Sequence, residues 1–205
     1  MIYITAVHVP VAGLALLPIL IGLPPMLYPM HLVLLELLID PMCALVFENE
    51  PGDPDAMRRP PRSRGEPLFG VEQIALAGLQ GLVLLVATLG LYAWMNGIGS
   101  GADTARSAAF ITLVMGHLSL ALSVSGLSGG RLLSRDRALF WVIGAAAMLV
   151  LTLAVTLPVM REILRFSPLP TWVLAASVAT GILAGGWHAV VAWLDGRSIA
   201  APARL

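Results

Sequence analysis

Two carboxylates, Glu36 and Asp40, lie four residues apart within an apolar stretch of the chain. On a helix this spacing places both side chains on one face, where they repel each other and resist desolvation. Pro41 follows at once, and its ring leaves the carbonyl of Leu37 without a backbone donor. Hard cations bind carboxylates and unpaired carbonyls, so the pattern predicts a cation site with Pro41 unwinding the helix. A marginal interfacial helix with water-exposed carboxylates is the alternative.

Two histidines are further candidates for the same chemistry. His8 lies two residues before Pro10, and that proline frees the carbonyl of Ala6 in the same way. His117 lies in the middle of another apolar stretch. A histidine in an apolar helix is either a ligand or a packed residue that hydrogen-bonds between helices. Both interpretations stay open for His8 and His117.

The composition is that of a membrane protein. The chain has 205 residues, of which 58% are hydrophobic and 12% charged, and its mean hydropathy is +0.88. Soluble domains carry about 25% charged residues, so an ordinary soluble enzyme and a disordered tail are excluded. The formal net charge is zero, which gives no reason to expect a nucleic-acid partner. The expected surroundings are a lipid bilayer.

The apolar stretches predict an all-α integral membrane bundle of six helices. A bilayer core needs about 20 apolar residues per helix. Nine of the twelve basic residues, all of them arginines, fall on one side of these helices, and the exceptions are Arg106, Arg161 and Arg165. The positive-inside rule then predicts a multi-pass protein of the cell membrane with both termini and the loop 48–67 in the cytoplasm. The helices are expected near 2–22, 31–47, 69–94, 105–124, 138–160 and 171–193.

The second predicted helix and the residues after it carry a recognisable order of motifs. The helix contains Glu36 and ends on Asp40-Pro41, and a Glu50-Pro51 turn and the loop Asp55-Ala-Met-Arg-Arg-Pro-Pro-Arg62 follow. This resembles the sixth transmembrane helix and cytoplasmic loop of P-type cation-transporting ATPases of the calcium-pump-like class. In that family an ion-binding aspartate precedes a glutamate-proline turn and a D-x-M-x-R-P-P-R loop.

The resemblance covers essentially the whole chain and implies the fifth to tenth transmembrane helices of such a pump. The stretch from Tyr3 to His8 is similar to the end of the fifth helix, and the last two helices are similar to the ninth and tenth. The seventh helix opens with Glu66-Pro67-Leu68 and the eighth with Ala105-Arg106-Ser107.

Carried over by position, the resemblance implies cation ligation at Glu36 and Asp40. It also places His8 where the family often has an asparagine ligand and His117 where calcium pumps have a carboxylate. Two departures are visible: Ile39 replaces a threonine ligand, and Pro10-Val11 stands where a fifth-helix glutamate is expected. Calcium usually takes six to eight oxygen ligands, so these departures argue against calcium. A proton, a monovalent cation and another divalent cation all stay open.

The phosphorylation motif of the family, D-K-T-G-T, does not occur in this sequence. We therefore expect no catalytic residue and no cofactor in this chain, with ATP and Mg bound by domains outside it. The expected function is the membrane part of an ATP-driven cation pump, with the remainder of a P-type ATPase as partner. A truncated or structural membrane subunit without transport of its own, and a stand-alone secondary cation transporter, are the alternatives.

Overall fold

The computed structural model describes residues 2–41, 70–126 and 138–194, and these form helices without any strand. The all-α prediction is therefore confirmed for the part of the chain that the structure describes. The helices are α1 (Ile2–Leu20), α2 (Pro29–Pro41), α3 (Val71–Gly97), α4 (Ala102–Gly126), α5 (Ala138–Thr156), α6 (Pro158–Leu164) and α7 (Thr171–Leu194).

The directions of the four longest packed helices follow from where their residues meet. Along α1, Ala6 lies against Gly81 and Gly13 against Leu85, so α1 and α3 run in the same direction. Along α4, Thr112 lies against Gly181 and Gly116 against Gly185, so α4 and α7 are also parallel. The short turn between α3 and α4 makes the two pairs antiparallel. The beginning of α1 and the end of α7 consequently lie at the same end of the bundle.

The centre of the bundle is α4. In its apolar window Ala102–Ser123, 78% of the residues are buried, compared with 28–39% in the windows of α1, α3 and α7. These three helices therefore present most of their apolar surface outward, as helices in lipid do. By length and composition, α1, α3, α4 and α7 can each cross a membrane, and α5 with α6 would make a fifth span. For α2, the apolar part within the described residues is Pro29–Leu38, and the predicted continuation to residue 47 lies outside them.

The prediction of one continuous helix near 138–160 is wrong. The structure divides it into α5 and α6, which meet at an angle of 86°. Leu157 between them is extended, with φ −71° and ψ 127°, and Pro158 is the first residue of α6. Proline disfavours helical backbone in the residue before it and is well suited to the first helical position. The described residues therefore form seven helices where we expected six.

The prolines of α1 have a different effect. The helix continues through Pro10 and Pro18 to Leu20, so the expected unwinding at Pro10 is not observed. The carbonyl of Ala6, which Pro10 deprives of its donor, faces Gly81 of α3. Transmembrane helices tolerate proline where a neighbouring helix and local adjustment accommodate the freed carbonyl. The close approach of α3 at a glycine is such an environment.

Glycines hold α4 and α7 together. A Cβ atom built on Gly181 would lie 2.5 Å from the carbonyl oxygen of Thr112, and one on Gly185 would overlap the carbonyl of Gly116. The hydroxyl of Thr112 donates to the carbonyl of Ser177 at 3.1 Å, and that of Ser119 donates to the carbonyl of Ile182 at 3.0 Å. Small residues thus bring the two backbones close enough for hydroxyl groups to bond between them, as in other membrane bundles.

This packing predicts that Gly185→Ala destabilises the bundle. The new methyl group overlaps backbone atoms of Gly116, which cannot move as a flexible side chain can, and overpacking typically costs about 1–3 kcal/mol. The matched control is Gly78→Ala in α3, where a Cβ meets no atom within 4 Å. Unfolding of the purified chain by SDS titration, followed by circular dichroism, measures both. Equal stability of the two variants would contradict the packing.

Candidate functional site: the α2 carboxylates and the junction that positions them

The predicted cation ligands of the second helix belong to α2. The helix is continuous from Pro29 to Pro41, so the four-residue spacing of Glu36 and Asp40 does place them one turn apart along one helix. The side chain of Glu36 is half-buried, between buried Leu35 and exposed Leu37. The side chain of Asp40 and the effect of Pro41 on the residues after it lie outside the described part of the chain. Ligation of a cation by this pair stays a prediction.

His8 lies on the exposed side of α1. Its Nδ1 is 2.8 Å from the carbonyl oxygen of Ile4. Because a carbonyl only accepts, Nδ1 must be the nitrogen that carries the proton in this hydrogen bond, and Nε2 has the lone pair of the neutral ring. A backbone carbonyl that fixes one ring nitrogen while the other can accept a proton or metal is the usual arrangement around a histidine ligand.

His117 lies in the interior of the bundle and is only 3% exposed. The backbone of Val7 in α1 lies beside its ring. Neither ring nitrogen of His117 has a hydrogen-bond partner among the described residues, and the same holds for Oε1 of buried Gln80 in α3. Unsatisfied buried polar atoms at membrane depth are typical of functional positions.

The structure does not bring the four predicted ligands into one cluster within the described residues. His8 in α1 lies within electrostatic range of His117 in α4, but His8 is exposed and His117 is buried. Within the described residues, however, no group of three or more histidine, cysteine, aspartate or glutamate side chains could hold a metal ion. Glu36 is therefore not part of a described cluster with the two histidines. A complete coordination sphere would need Asp40, backbone carbonyls or groups outside the described residues.

A polar junction at the other end of α2 was not expected from the sequence. Its centre is Arg106 near the beginning of α4, expected at the outer end of a membrane helix but only 2% exposed. Its Nη1 donates to the carboxylate of Asp103 at 2.5 Å and to the carbonyl of Arg165 at 2.9 Å. Its Nη2 donates to the carbonyl of Pro25 at 3.2 Å. One guanidinium therefore joins the α1–α2 connection, the start of α4 and the α6–α7 connection.

His31 fixes the first turn of α2 at this junction. The backbone N–H of Tyr28 donates to Nδ1 of His31 at 2.9 Å, and Nε2 donates to the carbonyl of Leu164 at 2.7 Å. The first bond is the reciprocal half of a capping box, in which a side chain in the first turn bonds the N–H of the residue before the helix. The ring packs between Phe110 and Phe166, with centroid distances of 5.6 and 5.1 Å. His31 is thus buried at the junction.

Two more bonds complete the junction. The hydroxyl of Tyr92 at the end of α3 donates to the carbonyl of Pro24 at 2.9 Å. The N–H of Ser167 donates to the hydroxyl of Ser107 at 2.8 Å. The α1–α2 and α6–α7 connections are thus tied to α3 and α4, and α2 starts at a fixed place. With a rise of about 1.5 Å per residue, Glu36 lies about 8 Å along the helix from His31.

The sequence did contain a local signal for the junction. Asp103 precedes Arg106 by three residues in the first turn of α4, a spacing typical of helical ion pairs. His31 stands three residues after Tyr28, at the position of the reciprocal capping residue. The other partners lie 59 to 133 residues away in the chain, and no pattern in the sequence indicates them.

A family model described as "Cation transporting ATPase, C-terminus" matches residues 24–194. The chain belongs to this family. It is the C-terminal membrane region of a P-type cation-transporting ATPase, and a multi-pass membrane protein, as expected from the sequence. The matched region of this ATPase includes Glu36, Asp40, Arg106 and His117, whereas His8 and Pro10 precede it. No curated protein matches the chain.

The junction predicts that Arg106→Gln destabilises this ATPase region strongly. Hydrogen bonds from a charged group typically contribute about 1.5–3 kcal/mol each, and glutamine cannot reach all three acceptors from one side chain. We expect a loss of about 2–4 kcal/mol in SDS titration. Arg165→Gln is the control, because Arg106 contacts the backbone carbonyl of Arg165, which the substitution leaves in place. A stable Arg106→Gln variant would show that the junction does not hold the connections.

Proposed function

We propose that this chain is the membrane part of an ATP-driven cation pump and that Glu36 and Asp40 bind the transported cation. The observation that supports this most directly is the half-buried carboxylate of Glu36 on an apolar helix, one turn from Asp40, inside the region that matches the ATPase family. The ion is proposed as cargo that passes through the protein.

The energetics of α2 favour a bound cation. An ionised side chain at membrane depth costs at least about 2.5–3.5 kcal/mol on insertion scales. Two carboxylates one turn apart add mutual repulsion to this cost. A cation between Glu36 and Asp40 offsets both terms, and a shared proton offsets them when the cation leaves. Alternation between these two states is what a pump requires of its binding residues.

We place His8 and His117 at a second cation-binding position along the proposed transport path. Nε2 of His8 has the lone pair of its ring, because Nδ1 bonds the Ile4 carbonyl. His117 lies in the bundle interior, within electrostatic range of His8, and both of its ring nitrogens are unpartnered among the described residues. Imidazole nitrogens bind protons and several divalent metal ions but are poor calcium ligands. This supports a cation other than calcium.

Hydrolysis of ATP belongs to the partner in this proposal. The phosphorylation, nucleotide-binding and actuator domains of a P-type ATPase would bind ATP and Mg and would drive the alternation of α2 through the membrane helices. With the arginine-rich loops facing the cytoplasm, both termini of the chain lie on the side where ATP is available.

The proposal predicts that Glu36→Gln and Asp40→Asn each lower cation-stimulated ATP hydrolysis at least tenfold. The chain is produced together with the catalytic part of a P-type ATPase, and phosphate release is measured against separate series of monovalent and divalent cations. The loss of one carboxylate removes a charged ligand while its size and helix position are kept. The matched control is Glu72→Gln, an exposed carboxylate in the first turn of α3, which should keep full stimulation.

Three outcomes would contradict the proposal. Undiminished stimulation in both Glu36→Gln and Asp40→Asn would remove the ion-binding role. Loss of stimulation in Glu72→Gln to the same extent would show a general effect of charge. Cation flux through liposomes that contain the chain alone, without nucleotide, would instead support a stand-alone transporter.

A further inference from the structure

An excess of positive charge lies at the junction end of the bundle. Arg106 is neutralised there by Asp103. Arg161 in α6 and Arg165 directly after it form no ion pair with any described residue, and Nε of Arg161 is buried without a hydrogen-bond partner within the described ranges. Glu162, between them in sequence, is exposed. The described charged side chains of this surface, with Glu162 included, therefore have a net positive charge.

The two guanidinium groups of Arg106 and Arg165 converge on one ring. Their Cζ atoms lie 5.0 and 5.1 Å from the centroid of Tyr28, so the two cations are at most about 10 Å apart. The aromatic ring stabilises each of them by cation–π attraction, but Asp103 pairs with Arg106 and not with Arg165. Arg165 is exposed and has a left-handed backbone, with φ 49°, which directs the chain from α6 into α7. A phosphate group beside Tyr28 and Arg165 would supply a counter-charge to Arg165.

The position of α6 indicates where this surface lies in a membrane. The helix turns by 86° from α5 and ends at Leu164, whose carbonyl bonds His31 at the junction. Its exposed side chains include Val159 and Ile163. A short helix that turns sharply from a spanning helix and exposes apolar side chains beside arginines is typical of the membrane interface.

The positions of two tryptophans also place this surface at the membrane interface. The rings of Trp94 at the end of α3 and Trp172 at the start of α7 pack edge to face, with centroids 6.2 Å apart, and both are exposed. Tryptophan is enriched at the level of lipid head groups. The unpaired arginines on α6 and after it consequently lie at the depth where phospholipids carry their phosphate groups.

We propose that the surface formed by Tyr28 and Arg165, with Arg161 one turn earlier in α6, binds the phosphate group of an anionic phospholipid. The guanidinium groups donate to the phosphate oxygens, and the acyl chains lie along the exposed apolar side chains of α6. The bound lipid neutralises the junction and stabilises the turn from α5 into α6. This site is separate from the α2 carboxylates and does not depend on the proposed cation transport.

The experiment is a titration of the purified full chain in detergent with phosphatidylglycerol and with phosphatidylcholine, followed by native mass spectrometry. We expect tighter binding of phosphatidylglycerol, because the net charge of this surface is positive. A basic residue near a membrane surface typically changes anionic-lipid binding about fivefold. Arg165→Gln should therefore weaken phosphatidylglycerol binding about fivefold and leave phosphatidylcholine binding unchanged, while Glu162→Gln should strengthen phosphatidylglycerol binding.

Two controls test whether the lipid binds at this surface and through both its phosphate group and its acyl chains. Arg62→Gln, in the predicted cytoplasmic loop, should not change phosphatidylglycerol binding. Inorganic phosphate at 10-fold excess over the lipid should not displace it, because the lipid is also held by its acyl chains. Equal binding of the two lipids, unchanged binding in Arg165→Gln, an equal loss in Arg62→Gln, or displacement by inorganic phosphate would each overturn the proposal.

Discussion

The burial of Arg106 imposes the strictest condition on this structure. A guanidinium that is 2% exposed must keep its hydrogen bonds, since a buried charge without partners is very costly. Its partners are one carboxylate in its own helix and two backbone carbonyls from separate connections. The α1–α2 and α6–α7 connections are therefore held against the start of α4, which is the central helix. This one side chain accounts for the arrangement of three chain segments that are far apart in sequence.

The position of Glu36 depends on the contacts around Arg106. Through His31, the first turn of α2 bonds the carbonyl of Leu164 beside the Arg106 contact. The carboxylates follow along the same helix at a distance set by helix geometry. The two ends of α2 thus differ, because one is fixed by polar contacts and the other carries charge in an apolar stretch. In the proposed pump, the first end would give the ligands of the second a fixed point relative to which they move.

The sequence predicted the features that depend on local chemistry. Hydropathy indicated the long helices, and the Glu36–Asp40 spacing indicated a carboxylate pair on one helix. The effect of prolines could not be read locally: α1 continues through Pro10, whose freed carbonyl faces Gly81, while the helix breaks before Pro158. The junction could not be predicted either. Arg106 and His31 bond backbone carbonyls of residues that are far away in the chain. Since every residue has a backbone carbonyl, no residue type in the sequence indicates these partners.

Labelling of Glu36 by dicyclohexylcarbodiimide is the sharpest test of cation binding by the α2 carboxylates. This reagent modifies protonated carboxyl groups in apolar surroundings, and mass spectrometry of the chain from native membranes locates the modified residue. We expect that Glu36 is labelled in cation-free buffer, that one cation protects it in a saturable manner, and that exposed Glu72 shows no such protection. Labelling of Glu36 that no cation changes, or that equals the labelling of Glu72 under every condition, would contradict a cation-binding role for α2.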